Sequence, residues 1–224
     1  MAAFRQILVP VCLTIAVFTA CDRNASSVND DTIVGNGVEA TAVRYVSDFH
    51  NLSLTGSFDV DIDSSQNDSV RITTDSNLLD QIATDITGTT LDIRPKCSIS
   101  CTHGIRVRLG NNHLSKLAVS GDADVVILRS DVSRFVCTIE GNGTIAISGR
   151  AENNSVTVRG NAVYDAFSFA SDTSTVNIEG NASVHVCAAR RLIVTLTGLG
   201  SVVYTGDPEI TTTVTGLGTI TRKE

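Results

Sequence analysis

The chain has 224 residues, a formal net charge of −7 and no basic run, which argues against nucleic acid as a partner. Aromatic residues make up only 4% of it and tryptophan is absent, whereas valine, isoleucine, threonine, glycine and asparagine are plentiful. This composition favours strands and turns over helices, so it predicts an all-β protein.

Residues 1–20 have the pattern of a signal peptide. Arg5 supplies a positive charge, and the apolar run from Ile7 to Phe18 is too short to span a bilayer. The following Phe18-Thr-Ala-Cys21 resembles a bacterial lipobox, so we predict that Cys21 is the lipidated first residue of the mature protein. An ordinary cleaved signal with an incidental cysteine is the alternative.

Lipidation would attach the chain to the cell envelope, at the outer membrane or at the periplasmic face of the inner membrane. Asp22 resembles the inner-membrane retention signal of enteric bacteria. Residues 21–43 are poor in apolar side chains and rich in turn formers, which predicts a flexible tether between the lipid and the domain. The folded domain is then expected over residues 44–224.

Strand-like alternation of apolar and polar residues begins near residue 45. Its clearest stretch places three aspartates on one outward face: Asp59, Asp61 and Asp63. Carboxylates collected on a strand can bind calcium, but the loop and glycine turn of a dedicated calcium motif do not accompany them. The favoured interpretation is that they keep other chains from pairing with an exposed strand edge. We therefore predict no metal site.

Cys97 and Cys101 follow Pro95 at a short spacing. In an oxidising compartment, two cysteines this close most simply form a disulfide that closes a small loop. A metal-binding pair is the alternative, for which His103 is the only further candidate ligand nearby.

A short phrase, Gly-x-[Ala/Gly]-x-[Val/Ile/Tyr], recurs through the second half of the chain. Its lead glycines are 20, 19, 20, 18 and 18 residues apart: Gly121, Gly141, Gly160, Gly180, Gly198 and Gly216. Residues at even offsets from each glycine are apolar or small, and those at odd offsets are mostly polar. The alternation of apolar and polar residues therefore continues across each glycine. Side chains at even offsets are expected to face inward.

A single coil of 18–20 residues cannot bury its own row of apolar side chains. Stacking successive coils on one another buries these side chains in a shared core. The period thus predicts a parallel β-solenoid, with about nine short coils between residue 45 and the last residue. Stacking would place equivalent outward side chains about 4.8 Å apart. Two ladders follow, one of alternating charge and one of amides: Glu140, Arg159 and Glu179, and Asn142, Asn161 and Asn181.

Three parts of the chain together resemble the head GIN domain family of bacterial auto-transporter adhesins. They are Phe49-x-x-Leu-x-Leu-x-Gly56, the glycine repeats, and Tyr204-Thr-Gly-Asp-Pro208 followed by Thr215-Gly-Leu-Gly218. The likeness covers residues 43–224. It implies an exported protein, often a lipoprotein, that folds as a right-handed β-helix. The resemblance does not identify any ligand-binding residue in this chain.

The leading functional hypothesis is a non-enzymatic envelope lipoprotein whose rigid solenoid presents a surface for adhesion or protein interaction. The predicted contacts are a membrane, through the lipid anchor, and an unidentified protein or glycan; no catalytic residue or cofactor is predicted. The alternative is a polysaccharide-active enzyme, because parallel β-helices host such enzymes. A third option is a periplasmic scaffold or stress-related factor.

The outward faces argue against the enzyme, because they carry mainly threonine, serine and asparagine. Three phenylalanines are equally compatible with packing and with a platform for sugar stacking: Phe135, Phe167 and Phe169. The four histidines are scattered, and a surface position is expected for each: His50, His103, His113 and His185. Cys137 falls at an inward offset and is expected to be a buried free thiol.

Overall fold

The computed structural model describes residues 32–46, 48–63, 69–111 and 113–223. Over these residues the chain is built of strands, apart from a short 3₁₀ turn at Leu79–Gln81, so the predicted all-β class is confirmed. No helix of this part of the chain is long and apolar enough to cross a membrane. The predicted signal peptide, the lipidation site Cys21 and the first part of the tether lie outside the described residues.

The strands divide into an early group and a group formed by the repeats. The early strands are β1 (Ile33–Val34), β2 (Glu39–Tyr45), β3 (Asn51–Asp63), β4 (Ser69–Asp75), β5 (Ile82–Thr87), β6 (Thr90–Pro95), β7 (Ile99–Ser100) and β8 (Arg106–Leu109). The repeats form β9 (Lys116–Val158), β10 (Asn161–Ile178), β11 (Asn181–Leu196), β12 (Leu199–Thr205), β13 (Glu209–Val214) and β14 (Leu217–Arg222).

The repeats pair side by side in parallel. β10 lies between β9 and β11, β11 pairs on its other side with β12 and β13, and β12 pairs with β14. Equivalent positions are in register, as Asn161 lies opposite both Asn142 and Asn181. The 18- to 20-residue period therefore predicts the pairing of the repeats correctly.

We call each coil of the stack a level. β3 forms one more level, which is not among the six glycine repeats identified in the sequence. All of β3 pairs in parallel with the start of β9, which places Gly56 opposite Gly121. Gly56 thus begins the glycine column that continues through the repeats, although a long segment separates it from Gly121 in the sequence. The spacing hides this level because β4 to β8 lie between the two paired strands.

The expectation of a purely parallel architecture is wrong for the early strands, because the main sheet is mixed. β4 pairs antiparallel with both β2 and β8, and β5 pairs antiparallel with β6. The link from β5 to β6 is the two residues Gly88 and Thr89, and the φ of +62° at Gly88 suits a tight hairpin turn. Such short links return the chain beside itself, whereas parallel neighbours need a long crossover.

Strand pairing begins on the tether side of the boundary predicted at residue 43. β1 pairs in parallel with β7, and β2 pairs along its whole length with β4. The alternation in β2 is weak, because its inward residues are the small Ala40 and Ala42 and the polar Arg44. The polar composition of this segment therefore conceals its pairing with the rest of the sheet.

One continuous core fills the interior of the stack. The predicted inward positions are buried throughout the central repeats, including Ile139, Val158 and Ile178. Phe135 and Phe169 are fully buried and meet edge to face, with ring centroids 5.6 Å apart. These two phenylalanines are core residues, which rules them out as a sugar-binding platform.

Close approach of neighbouring repeats explains the lead glycines. A Cβ atom on Gly160 would lie 1.9 Å from the carbonyl oxygen of Gly141, and one on Gly141 would lie 2.0 Å from that of Gly121. Non-bonded carbon and oxygen atoms cannot approach so closely without a shift of the backbone. Each clash is with the backbone of the preceding level. Glycine is therefore needed at this position in each of these levels.

Candidate functional site

Two of the three outward aspartates of β3, Asp61 and Asp63, form ion pairs with arginines of adjoining strands. Arg108 Nε lies 3.3 Å from Asp61 Oδ2, and Arg129 pairs with Asp63. β3 lies between β9 and β8, so it has no exposed edge near Asp59 and Asp61. The strand-edge interpretation is therefore wrong, because β3 is paired on both sides at these residues. Among the residues that the structure describes, no three histidine, cysteine or acidic side chains are grouped to hold a metal ion.

The predicted charge ladder is present on the outer face of the repeats. Arg159 Nη1 lies 2.9 Å from Glu140 Oε1, and its Nε lies 2.9 Å from Glu179 Oε2. Hydrogen bonds to Glu179 and Glu140 raise the pKa of the Arg159 guanidinium above its ordinary value. All three side chains are about half exposed. The ladder is thus a surface contact between three successive levels.

The predicted asparagine ladder is present and extends one level further than expected. Asn161 Nδ2 donates to Asn142 Oδ1 at 3.1 Å, and Asn142 Nδ2 donates to Asp122 Oδ1 at 2.7 Å. Asn181 continues the row in register beside Asn161. Each amide can donate to one neighbour and accept from the other, so the row binds one level to the next.

A shallow surface depression of about 650 Å³ runs beside the asparagine ladder. Its floor is made of small residues from four levels: Gly143, Ala162, Ala182 and Gly200. Asn161 and Asn181 flank it on one side, and Thr144, Val163, Ser183 and Ser201 line the rest. The lining has hydroxyl and amide groups and no charged side chain, so it can form hydrogen bonds with an uncharged polymer.

Phe167 is the one phenylalanine of the predicted platform that lies at the surface, and it is half-buried. Its ring stacks on His185 with centroids 4.6 Å apart, and Lys223 Nζ lies 4.1 Å from the ring centroid. His185 Nδ1 lies 3.7 Å from Asp165 Oδ1, and its side chain is only 26% exposed. The surface expectation for His185 is therefore only partly right. Aligning the repeats would have placed Asp165 beside it.

Cys97 and Cys101 are free thiols in the structure, which differs from the predicted disulfide. β7 lies between them and pairs with β1, so it holds apart residues that a small disulfide loop would draw together. Cys97 Sγ instead lies 3.7 Å from Gln81 Oε1. Burial raises the pKa of the Cys101 thiol, and the negative charge of Asp75 adds to that rise. The pairing remains a prediction for the exported protein.

Asp75 is a buried carboxylate that sequence patterning does not reveal. Its two oxygens accept backbone N–H groups of Gly37 at 2.8 Å and Thr102 at 2.7 Å, and His103 Nδ1 lies 3.3 Å away. Burial acts to raise the pKa of Asp75, but these hydrogen bonds outweigh it and the pKa falls below 3.8. Asp75 therefore joins the segment after β1 to the loop after β7, and His103 serves this contact rather than a metal site.

Solved structures share this arrangement over most of the chain. A putative adhesin from Bacteroides fragilis has 15% identity and a TM-score of 0.66, and the match covers 85% of this chain and 100% of that one. A putative lipid binding protein from Parabacteroides distasonis has 22% identity and a TM-score of 0.54, covering 86% and 100%. A putative adhesin from Parabacteroides merdae has 19% identity and a TM-score of 0.51, covering 87% and 100%. At these identities the likeness shows the fold alone.

No curated protein sequence is similar enough to this chain to count as a relative. A family model, described as putative auto-transporter adhesin, head GIN domain, matches residues 48–208. The match begins just before β3 and ends just before β13, so it includes the glycine column from Gly56 to Gly198. The resemblance carried by the repeats is therefore confirmed, and the chain belongs to the head GIN domain family of putative auto-transporter adhesins.

Proposed function

We propose that the protein is an exported lipoprotein of the bacterial cell envelope whose right-handed parallel β-solenoid presents an adhesive surface and performs no catalysis. The family supports the adhesive role, since the matched model and two of the structural neighbours carry an adhesin description. The parallel register of the repeats and the glycine column support a solenoid. The mixed early sheet then closes one end of that solenoid.

The depression beside the asparagine ladder is the observation that carries the adhesive role. It presents amide and hydroxyl groups from successive levels at the spacing of neighbouring strands, about 4.8 Å. A linear polymer could contact several levels at once, and repeated weak contacts of this kind add up to firm attachment. The ligand that fits is an uncharged stretch of glycan or extended protein, because the lining carries no charged side chain.

Binding by this depression is tested with one variant inside it and one outside it. Val163→Arg places a long charged side chain in the depression, where Val163 is 38% exposed. Asn153→Arg adds the same side chain at an exposed position of β9 that does not line the depression. We expect cells that express the first variant to lose attachment to matrix-coated and glycan-coated surfaces, and cells with the second to retain it.

Deletion of the protein provides the broader test. The proposal is wrong if a deletion strain attaches to every surface as well as its parent does. Turnover of acidic glycans by the purified protein would instead favour the polysaccharide-active enzyme. Protease treatment of intact cells separates a surface adhesin, which is cut, from a periplasmic scaffold, which is protected.

Lipid attachment at Cys21 is a separate part of the proposal. The lipobox-like Phe18-Thr-Ala-Cys21 supports it, and several acyl chains on one cysteine would hold the protein at a membrane. Metabolic labelling with palmitate should mark the wild-type protein and leave Cys21→Ser unlabelled. Unlabelled wild-type protein with a free amino terminus near residue 21 would show an ordinary cleaved signal instead.

A further inference from the structure

The last level of the stack has an unpaired edge. Among the described strands, β13 pairs only with β11, and β14 pairs only with β12. The inward residues of this level are correspondingly uncovered, as Ile210 is 40% and Val214 is 44% exposed. An uncovered strand edge presents N–H and C=O groups that can pair with another strand.

The sequence of this level lacks the features that normally block such pairing. Residues 210–221 contain no charged residue and no proline, and most are threonine, glycine, valine, isoleucine or leucine. Charges and prolines on edge strands are the usual protection against association. Acidic residues precede the uncharged run and basic residues follow it, in the order Asp207 and Glu209, then Arg222 and Lys223.

We propose that this edge is where two copies of the chain associate, end to end, about a two-fold axis that passes through Gly216. This axis bisects the angle between β13 and β14. Rotation about it therefore places β14 of the second copy over β13 of the first, and β13 of the second over β14 of the first. β13 of each copy then runs antiparallel to β14 of the other. Inward positions meet inward positions in this register, so the two cores meet at Val214 and Ile220, whereas Ile210 faces Arg222 of the second copy.

The register makes both charge and side-chain size complementary. Glu209 at the start of β13 lies opposite Lys223 of the second copy, at the end of its β14. Inward Val214 lies opposite Gly218 of the second copy, so a larger residue faces a smaller one. Outward Thr213 lies opposite Thr219 of the second copy, and threonine pairs across antiparallel strands are stabilising.

Glu209 and Arg222 remain accessible within one copy, whereas Lys223 Nζ lies 4.1 Å from the Phe167 ring centroid and must leave that ring to reach a second copy. Glu209 lies 3.6 Å from Arg191 but its side chain is 76% exposed. Arg222 lies 3.4 Å from Asp207 with its own side chain 57% exposed. These contacts are long surface pairs, so they leave room for a second partner across the interface.

The test compares lysines at the proposed interface with lysines one level below it. Thr213→Lys/Thr219→Lys places like charges opposite each other in the two-fold pair. Thr195→Lys/Ser201→Lys is the matched control, since Thr195 and Ser201 are the register partners of those threonines within the chain. Full-length proteins are compared by sedimentation velocity under reducing conditions, in one detergent, over a roughly hundredfold dilution series.

We expect wild type and the control variant to form dimers, and the interface variant to dimerise at least about tenfold more weakly. Thr213→Glu/Thr219→Lys should restore dimers, because each glutamate then faces a lysine of the second copy. A folding defect would affect this variant as well, so the rescue separates association from stability. Wild-type monomers throughout the series, undiminished dimers of the lysine variant, or failure of the rescue would each overturn the proposal.

Discussion

The repeats from β9 to β14 and the segment from β4 to β8 are both built of strands, but different contacts hold them in place. In the repeats, every level meets the next through the same positions, so Asn142 lies beside Asn161 and Glu140 beside Arg159. In the β4 to β8 segment, each contact is made by a different pair of residues and does not recur from strand to strand. Asp75 accepts the N–H of Gly37, and Arg44 donates to the carbonyl oxygens of Leu79 and Ile82.

This difference shows how a repeating chain can include a non-repeating segment. The glycine column resumes at Gly121 as though β4 to β8 were absent, because β3 presents the same edge as any repeat. The segment then needs its own buried polar contacts to keep its position. Substitutions should therefore act through backbone contacts in the repeats and through single side chains in the segment.

The largest effect is expected from Gly160→Ala. Its Cβ atom would lie 1.9 Å from the Gly141 carbonyl oxygen, so two levels of the stack must separate. We expect a loss of about 3 kcal/mol or more in the free energy of unfolding, measured by denaturant titration. Gly88→Ala is the control, because its Cβ meets nothing within 4 Å and only its φ of +62° is unfavourable. That strain should cost about 1 kcal/mol, and equal losses would contradict the steric explanation.

Asp75→Asn should loosen the early strands without disturbing the repeats. The folded-state pKa of Asp75 lies below 3.8, so its contribution is present above that pH and is lost as pH falls through the folded value. We expect the protection of the Gly37 and Thr102 amides from hydrogen exchange, relative to the intrinsic rate at each pH, to fall in acid in the wild type.

The Asp75→Asn variant should show fast exchange at those two amides at every pH. Amides of β10, in the repeats, serve as the internal control and should exchange alike in both proteins. A protection factor at Gly37 that stays unchanged as the pH falls in the wild type would show that Asp75 does not hold this segment.

Tyr164→Phe tests a buried polar contact within the repeats. The Tyr164 hydroxyl donates to Asn154 Oδ1 at 2.9 Å, and both side chains are buried. Removing the hydroxyl leaves the Asn154 oxygen without this partner, so we expect a loss of about 1–2 kcal/mol in unfolding free energy. Tyr204→Phe, at a half-buried tyrosine of β12, is the control and should cost less.

Oxidation of Cys97 and Cys101 to a disulfide tests the contacts of the early strands at one place, the pairing of β1 with β7. A disulfide would draw together the residues on either side of β7, in which the carbonyl oxygen of Ser100 accepts the N–H of Gly35 at 2.8 Å. We expect faster exchange at the Gly35 amide in oxidised protein than in Cys97→Ser/Cys101→Ser. Peptide masses after thiol alkylation show directly whether the bond forms.

The smallest effect is expected from Arg159→Met. Its two ion pairs lie at the surface, where such contacts contribute little because water and salt screen them. The unfolding midpoint should stay within experimental error of the wild type, and should remain so at low and high salt. A clear, salt-sensitive loss would show that the ladder stabilises the stack.

Several features followed from the sequence because they repeat. Six aligned phrases identified the inward positions, the Glu140–Arg159–Glu179 ladder and the buried Cys137, all of which the structure contains. The same reasoning failed for Asp61 and Asp63. Alternation showed that they face outward, but their arginine partners lie on strands far away in the sequence.

The sequence by itself determined the strand content, the period and the faces of the repeats, because each of these depends on residues close together in the chain. Only the tertiary structure decided that β3 joins the glycine column and that β2, β4 and β8 pair antiparallel. It also decided that Asp75 is buried and that no other described strand covers the edge of β13 and β14. These features depend on which distant segments meet, and no local pattern of side chains encodes that choice.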